Sequence, residues 1–197
     1  MLAFNDMSKA GKVACTYAAY LAAEQASTIK NEYVRGEMFA MTGGTPEHAA
    51  LGLAFGAAMM MQLRGKPYRV FSADLRIRVG ADFAAYPDLT VVCGSLQTAP
   101  DDANAAINPM VIVEAISDST EAYDRSEKFE HYRRLPSLRE YVLLSQRGPR
   151  IEVNRKNEHG RWELFEFIAG QQAEIASLGV DVAVDEVYLD PLSPAAS

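Results

Sequence analysis

One glutamate constrains this chain more than any other residue. Residues 110–116 read Met-Val-Ile-Val-Glu-Ala-Ile, the most apolar strand-like run of the sequence, and Glu114 stands inside it. A run of that kind belongs in the middle of a sheet covered on both faces, so other elements must be layered on either side of it. Burying a carboxylate there costs several kcal/mol unless it is paired or binds a metal, and acidic residues are depleted from strands. Three readings are open. Strand alternation sets Glu114 on a solvated face, or an arginine such as Arg76 or Arg78 neutralises it, or it converges with a second acid on a divalent cation. That second acid is Asp88, which follows Pro87 at the head of the apolar run Leu89-Thr90-Val91-Val92. Hard Mg²⁺ takes one or two carboxylates and fills its remaining positions with water and phosphate oxygens.

The rest of the pattern predicts an α/β fold. Helical periodicity covers residues 16–26, and residues 33–41 read as a hairpin with Arg35-Gly36 near its turn. Thr45 is set to cap a helix over 47–64, with Pro46 at the first helical position. That helix is apolar almost all round, so it is expected to be buried on more than one side. Gly52 and Gly56 leave it a smooth face for close packing, on a sheet or on a second copy of the chain. Strands are expected over 68–79, 87–93 and 110–116, the last one central, with a loop over 98–108. In 75–79 apolar residues alternate with Arg76 and Arg78, which places the arginines on the opposite face. A helix over 119–135 ends at Pro136, and the tail supplies strands over 141–145, 151–155 and 162–168 with a turn at His159-Gly160. Several connections are too short for parallel crossovers, so the sheet must be mixed. The domain plan is a loose arm over 1–15, one domain over 16–192 and a tail over 193–197.

Composition narrows the function classes. At 197 residues, 49% hydrophobic and 23% charged, the chain can bury a core and is not of disordered composition. A formal charge of -7 provides no global field to attract nucleic acid, so DNA contact needs a local basic patch. Arg76, Arg78, Lys66 and Arg69 form one candidate, and Arg133, Arg134 and Arg139 another. Two cysteines make neither a disulfide framework nor a zinc site, and Cys93 reads as a buried small hydrophobe. A reducing cytoplasm is the compartment this implies. Lys9 and Lys12 before the apolar stretch 13–23 loosely imitate a secretory leader, but helix formers followed by Glu24-Gln25 favour an N-terminal helix. The longest apolar run, 49–61, is too short to span a bilayer, so no membrane contact is expected.

Helical spacing sets Asp124, Lys128 and Tyr132 on one face, which alone would be an ordinary ion pair between neighbouring turns. The segments Tyr33-Val34-Arg35-Gly36-Glu37, Pro46-Glu47-His48, Tyr86-Pro87-Asp88, Val113-Glu114-Ala115-Ile116-Ser117, Tyr123-Asp124-Arg125-Ser126-Glu127-Lys128-Phe129 and Leu135-Pro136-Ser137-Leu138-Arg139-Glu140-Tyr141 occur in that order. Together they resemble the Uma family of putative restriction endonucleases, within the PD-(D/E)XK nuclease superfamily. The resemblance implies a restriction-endonuclease-like mixed β-sheet flanked by helices, with an additional C-terminal strand region. It implies that Asp88 and Glu114 bind Mg²⁺, with Mn²⁺ as a substitute, and that Lys128 assists catalysis. The superfamily's lysine stands two positions after the second acid, where this chain has Ile116, so the function passes to Lys128 on the next helix. Glu37 joins the site by the same resemblance, against the reading of a solvated hairpin acid. His48 also matches, although a lone histidine at a helix start is more often structural. Ser117 and Ser119 are expected to cap the Lys128 helix.

The function implied is hydrolysis of DNA phosphodiesters, and a homodimer would supply the two sites that duplex cleavage needs. A catalytically silent nuclease fold acting as a binding or interaction module is the alternative, supported by the acidic charge and the displaced lysine. A glycosidase also needs two acids, but makes no use of Lys128 and expects aromatic platforms, where this chain has the single tryptophan Trp162. A nucleophilic triad has no G-x-S-x-G elbow to stand on.

Overall fold

The computed structural model describes residues 13–41 and 43–190, so the expected tail and residues 1–12 of the expected arm lie outside the described residues. Residues 13–15 are tied down. Strand β1 (Val13–Ala14) pairs antiparallel with β3 (Glu37–Ala40), and the Cys15 amide donates to the Gly36 carbonyl at 2.8 Å. Helix α1 (Tyr17–Ala26) follows, capped by the Thr16 hydroxyl. The hairpin of β2 (Asn31–Val34) and β3 turns through Arg35 and Gly36, both at positive φ (49° and 87°), the geometry whose twist suits a two-residue hairpin.

Helix α2 (Pro46–Gln62) starts as expected, with Thr45 accepting the His48 amide and Pro46 in the first turn. The run expected as one strand over 68–79 splits at a turn into β4 (Tyr68–Ser72) and β5 (Arg76–Val79), which join different sheets. β6 (Phe83–Ala85) and β7 (Leu89–Cys93) follow, and the expected loop 98–108 contains β8 (Thr98–Ala99) and β9 (Asp102–Ala106). β10 (Val111–Ile116), β11 (Glu140–Ser145), β12 (Arg150–Lys156) and β13 (Trp162–Ile168) complete the expected strands. A further hairpin, β14 (Gln172–Ile175) with β15 (Val180–Ala183), precedes the short helix α5 (Val184–Val187).

The strands therefore divide among three sheets where one was expected. One has the order β1-β3-β2-β6-β5-β9-β8, the second β13-β12-β11-β10-β7-β4, and the third is the β14-β15 pair. β10 is central as predicted, antiparallel to β7 and parallel to β11. A parallel neighbour requires a crossover, and residues between 117 and 139 provide it. That crossover comprises α3 (Glu121–Tyr123), a π-helical turn (Asp124–Lys128) and α4 (Phe129–Tyr132), where the sequence pattern predicts one uninterrupted helix.

Strand alternation on β10 separates two cores. Val111, Val113 and Ala115 pack with Leu51, Phe55 and Met59 of α2 and with the C-terminal hairpin. Ile112 and Ile116 face the other way, toward Ile77 and Phe83 of the first sheet and Tyr132 of the crossover. Glu114 shares the parity of Ile112 and Ile116, so it points into the space between the two sheets. It is 4% exposed, which excludes the solvated-face reading.

Candidate functional site

Glu114 is met there by Lys128. The lysine Nζ lies 2.8 Å from Glu114 Oε1, 3.4 Å from Asp124 Oδ1 and 3.5 Å from Glu32 Oε1, and all four side chains are buried. The topology brings them together. The crossover from β10 to β11 carries Lys128 back over the strand that bears Glu114, and Glu32 comes from β2 on the opposing sheet. The π-helical turn holds Asp124 and Lys128 facing inward, a device frequent at functional sites. Tyr141 anchors it by donating to the Asp124 carbonyl at 2.9 Å, while the Tyr132 hydroxyl lies 3.4 Å from Glu114 Oε1.

The electrostatics are dominated by burial. Desolvation pushes the Glu114 carboxyl well above its ordinary range, and the Lys128 ammonium only partly opposes this. Glu32 is raised for the same reason. Burial works against charge on Lys128 too, but Glu114, Glu32 and Asp124 together reverse that effect and hold it protonated.

Asp88 sits one residue before β7, next to this cluster. The last β7–β10 partners are Leu89 and Val113, so one step further along the antiparallel ladder sets Asp88 opposite Glu114. Asp88 Oδ2 accepts the Ala115 amide at 2.7 Å, and Oδ1 lies 2.8 Å from His48 Nε2. The histidine is held in turn: its Nδ1 lies 3.1 Å from Gln146 Nε2, and Gln146 Oε1 accepts from the Thr45 hydroxyl at 3.2 Å. An amide nitrogen can only donate, so this chain places the neutral ring's proton on Nε2, aimed at Asp88. The hydrogen bond to Asp88 raises the His48 pKa above its ordinary value, against the effect of burial. Gly44 leaves room for the ring, since a Cβ there would come within 2.8 Å of it. Gly52 and Gly56 face the sheet, against Asp88 and Leu89, which is the helix-on-sheet use of that smooth face.

The structure thus brings Asp88, Glu114 and Lys128 to one region and adds residues that sequence reasoning passed over. Glu32 was missed because the hairpin was begun at Tyr33, two residues too late; Asn-Glu-Tyr-Val does not alternate polar with apolar residues, so periodicity carried no signal for it. Glu37 stands two cross-strand pairs away from Glu32, opposite Val34, and the carboxylates that reach the Lys128 ammonium are Glu32, Glu114 and Asp124. His48 and Gln146 gain a place through Asp88. The expected caps differ. Thr120 takes the N-cap without a side-chain capping bond; Ser117 Oγ accepts the Thr120 amide, and Ser119 meets only the Ser117 hydroxyl among the described contacts.

The first basic patch is corrected as well. Arg76 is buried in a bidentate pair with Asp102 and also donates to Tyr86. Arg78 lies over the Tyr17 ring with Asp101 3.5 Å away. Neither neutralises Glu114, and neither is presented as a phosphate contact, because helix α1, through Tyr17 and Tyr20, covers the face that alternation had assigned to solvent. Lys66, Arg69, Arg133 and Arg139 are exposed, whereas Arg134 is paired with Asp82. Cys93 is exposed, contrary to expectation, because it ends β7 beyond the core. No helix among the described residues is long and apolar enough to cross a membrane.

Comparison with known proteins bears on the fold and the family. A crystal structure of a putative nuclease belonging to DUF820, from Anabaena variabilis ATCC 29413, superposes with a TM-score of 0.68 at 16% identity, covering 82% of this chain and 91% of that one. The likeness establishes the fold. Two uncharacterized proteins of Synechocystis sp. (strain ATCC 27184 / PCC 6803 / Kazusa) are similar along most of their length. The protein slr1290 is 32% identical over 86% of this chain and 88% of its own, and sll1609 is 30% identical over 81% and 90%. The model of the Uma2 family, described as putative restriction endonuclease, matches residues 17–185, a span that includes Glu32, His48, Asp88, Glu114 and Lys128. The chain belongs to the Uma2 family.

Proposed function

We propose that this protein is a metal-dependent endonuclease of the PD-(D/E)XK type that hydrolyses phosphodiester bonds in DNA. The observation that carries the reading is the Lys128–Glu114 contact at 2.8 Å, which sets an ammonium from the crossover helix beside an acid of the central strand. On this reading, a lysine displaced from the superfamily's usual sequence position serves beside the same acid.

The residues present fit Mg²⁺. Asp88 and Glu114 are hard oxygen donors on adjacent strands, and the cluster holds more carboxylates than its one lysine can neutralise. Among the described residues no group of three histidine, cysteine or acidic side chains forms a ready-made metal cage. This suits an ion that binds through one or two carboxylates and completes its shell with water and phosphate. Asp88 and Glu114 would hold it, and Mn²⁺ would substitute. When bound, the ion would polarise the scissile phosphate and lower the pKa of water beside it. Lys128, kept charged by its three acids, stabilises negative charge developing at the phosphate or orients the attacking water. His48 fixes the Asp88 carboxylate through Oδ1, as the Ala115 amide does through Oδ2.

Cleavage of plasmid and oligonucleotide substrates in Mg²⁺ or Mn²⁺ tests this directly. Removing a preorganised charge of this kind costs about 100- to 1,000-fold in rate, the loss expected for Lys128→Ala. A protein that binds nucleic acid but cleaves no DNA or RNA with either ion is instead a silent nuclease fold serving as a binding module.

A further inference from the structure

Helix α2 enters the core by one stripe, not all round as its apolar pattern implies. The stripe runs through Leu51, Gly52, Phe55, Gly56 and Met59, and helical spacing makes His48 its first member, one turn before Gly52. A half-buried histidine at the head of such a stripe directs its ring toward the sheet. Both ring nitrogens have partners there, Asp88 Oδ1 at Nε2 and the Gln146 side-chain amide at Nδ1.

The sense of each hydrogen bond in this chain follows from its ends. A carboxylate only accepts, so Asp88 takes the Ala115 amide at Oδ2 and requires the ring proton on Nε2 at Oδ1. The neutral ring is then an acceptor at Nδ1, which requires the nitrogen of the Gln146 amide. Gln146 Oε1 is left facing Thr45, whose hydroxyl accepts the His48 backbone amide and gives its own proton to Oε1, both at 3.2 Å. Thr45, Gln146, His48 and Asp88 are thus linked donor to acceptor in one direction, ending on the carboxylate. Turning the Gln146 amide over would offer its oxygen to Nδ1 and draw the ring proton there. The Nε2 lone pair would then face Asp88 Oδ1, acceptor against acceptor. The backbone keeps Gln146 in place. Its amide donates to the Ile116 carbonyl at 3.3 Å, at the end of the strand that bears Glu114, and the adjacent Arg147 pairs with Asp118 and Glu121. We infer that Gln146 is the positioning residue of the Asp88 carboxylate: seated by Thr45, it selects the Nε2–H tautomer of His48 and so fixes the orientation in which Asp88 presents its oxygens to a cation.

The role toward a cation rests on the nuclease reading, whereas the tautomer rests on hydrogen-bond geometry alone, and the test separates the two. Nitrogen-15 NMR of histidine-labelled full chain, at a pH where the ring is neutral, reads the tautomer. His48 is assigned among the three histidines by the signal lost in His48→Asn. The wild type should show the Nε2–H form. Gln146→Met, an unbranched side chain of similar length with no proton to donate, should show a mixture of both forms, while Thr45→Ser, which keeps the hydroxyl, should match the wild type. Partners behind a metal-binding group typically contribute about 10- to 100-fold to metal affinity, the loss expected for Mg²⁺ binding to Gln146→Met in a thermal-shift titration, with an unchanged far-UV circular dichroism spectrum. A wild type in the Nδ1–H form, a Gln146→Met protein that keeps the wild-type tautomer, or one that loses it without loss of Mg²⁺ affinity would overturn the assignment. A tautomer that depends on Gln146 in a wild type that neither binds Mg²⁺ nor cuts nucleic acid would uphold the selection by Gln146 and overturn the nuclease reading instead.

Discussion

Lys128 is surrounded by Glu114, Asp124 and Glu32, and this imbalance has a measurable consequence. Glu114 and Glu32 are raised above the ordinary glutamate value of about 4.3 by burial. Between that value and the raised one the native state binds more protons than the unfolded chain, so stability falls as pH rises. In the absence of divalent ions, Glu114→Gln removes one of these protons from the balance. Urea unfolding at a series of pH values should therefore show a shallower decline above about pH 4.3 in the variant than in the wild type. Identical slopes would show that Glu114 does not hold a raised pKa. Lys128→Met acts in the opposite sense. It leaves buried carboxylates without their cation and should cost about 3–5 kcal/mol in the same assay, a loss that Glu114→Gln in the Lys128→Met background partly recovers.

At the level of elements, what could be read from sequence depended on whether a pattern was local. The Thr45-Pro46 start of α2, the Arg35-Gly36 turn and the apolar run of β10 are local signals, and each is found where expected. Pairing between distant strands is not local. Nothing near Arg76 announces that helix α1 will cover it, so the alternation of β5 pointed its arginines to water. In the structure the Arg76 guanidinium, the Asp102 carboxylate and the Tyr17 and Tyr86 hydroxyls close a buried network between α1 and the first sheet. Glu32 escaped for a related reason, since its partner Lys128 is 96 residues away along the chain. Glu114 was legible because a carboxylate in that strand demands a partner, although its identity came from family resemblance. The π-helical turn left no trace in the periodicity. Breaking the buried pair by Asp102→Asn should destabilise the protein by about 3–5 kcal/mol, whereas Arg69→Ala on the exposed edge strand should stay within about 0.5 kcal/mol. Comparable losses for both in chemical denaturation would mean that the Arg76–Asp102 network is not structural.

Across the whole molecule, the two large sheets, the crossover and the N-terminus of α2 each contribute one part of the site: Glu32, Asp88 with Glu114, Lys128 and His48. A cation that binds the native arrangement and not the unfolded chain stabilises by mass action. Mg²⁺ should accordingly raise the melting temperature of the wild type, and Asp88→Asn should abolish that rise without unfolding the protein. An equal rise in the variant would place any bound ion elsewhere. The central claim is that Asp88, Glu114 and Lys128 act together on a phosphodiester, and a cleavage assay on supercoiled and linear duplex DNA tests it most directly. The predicted result is Mg²⁺-dependent cutting by the wild type, abolished by chelator and lost in Asp88→Ala, Glu114→Ala and Lys128→Ala variants that remain folded. Cutting that persists in the Lys128→Ala variant at the wild-type rate, or no cutting of any DNA by the wild type in Mg²⁺ or Mn²⁺, would contradict it.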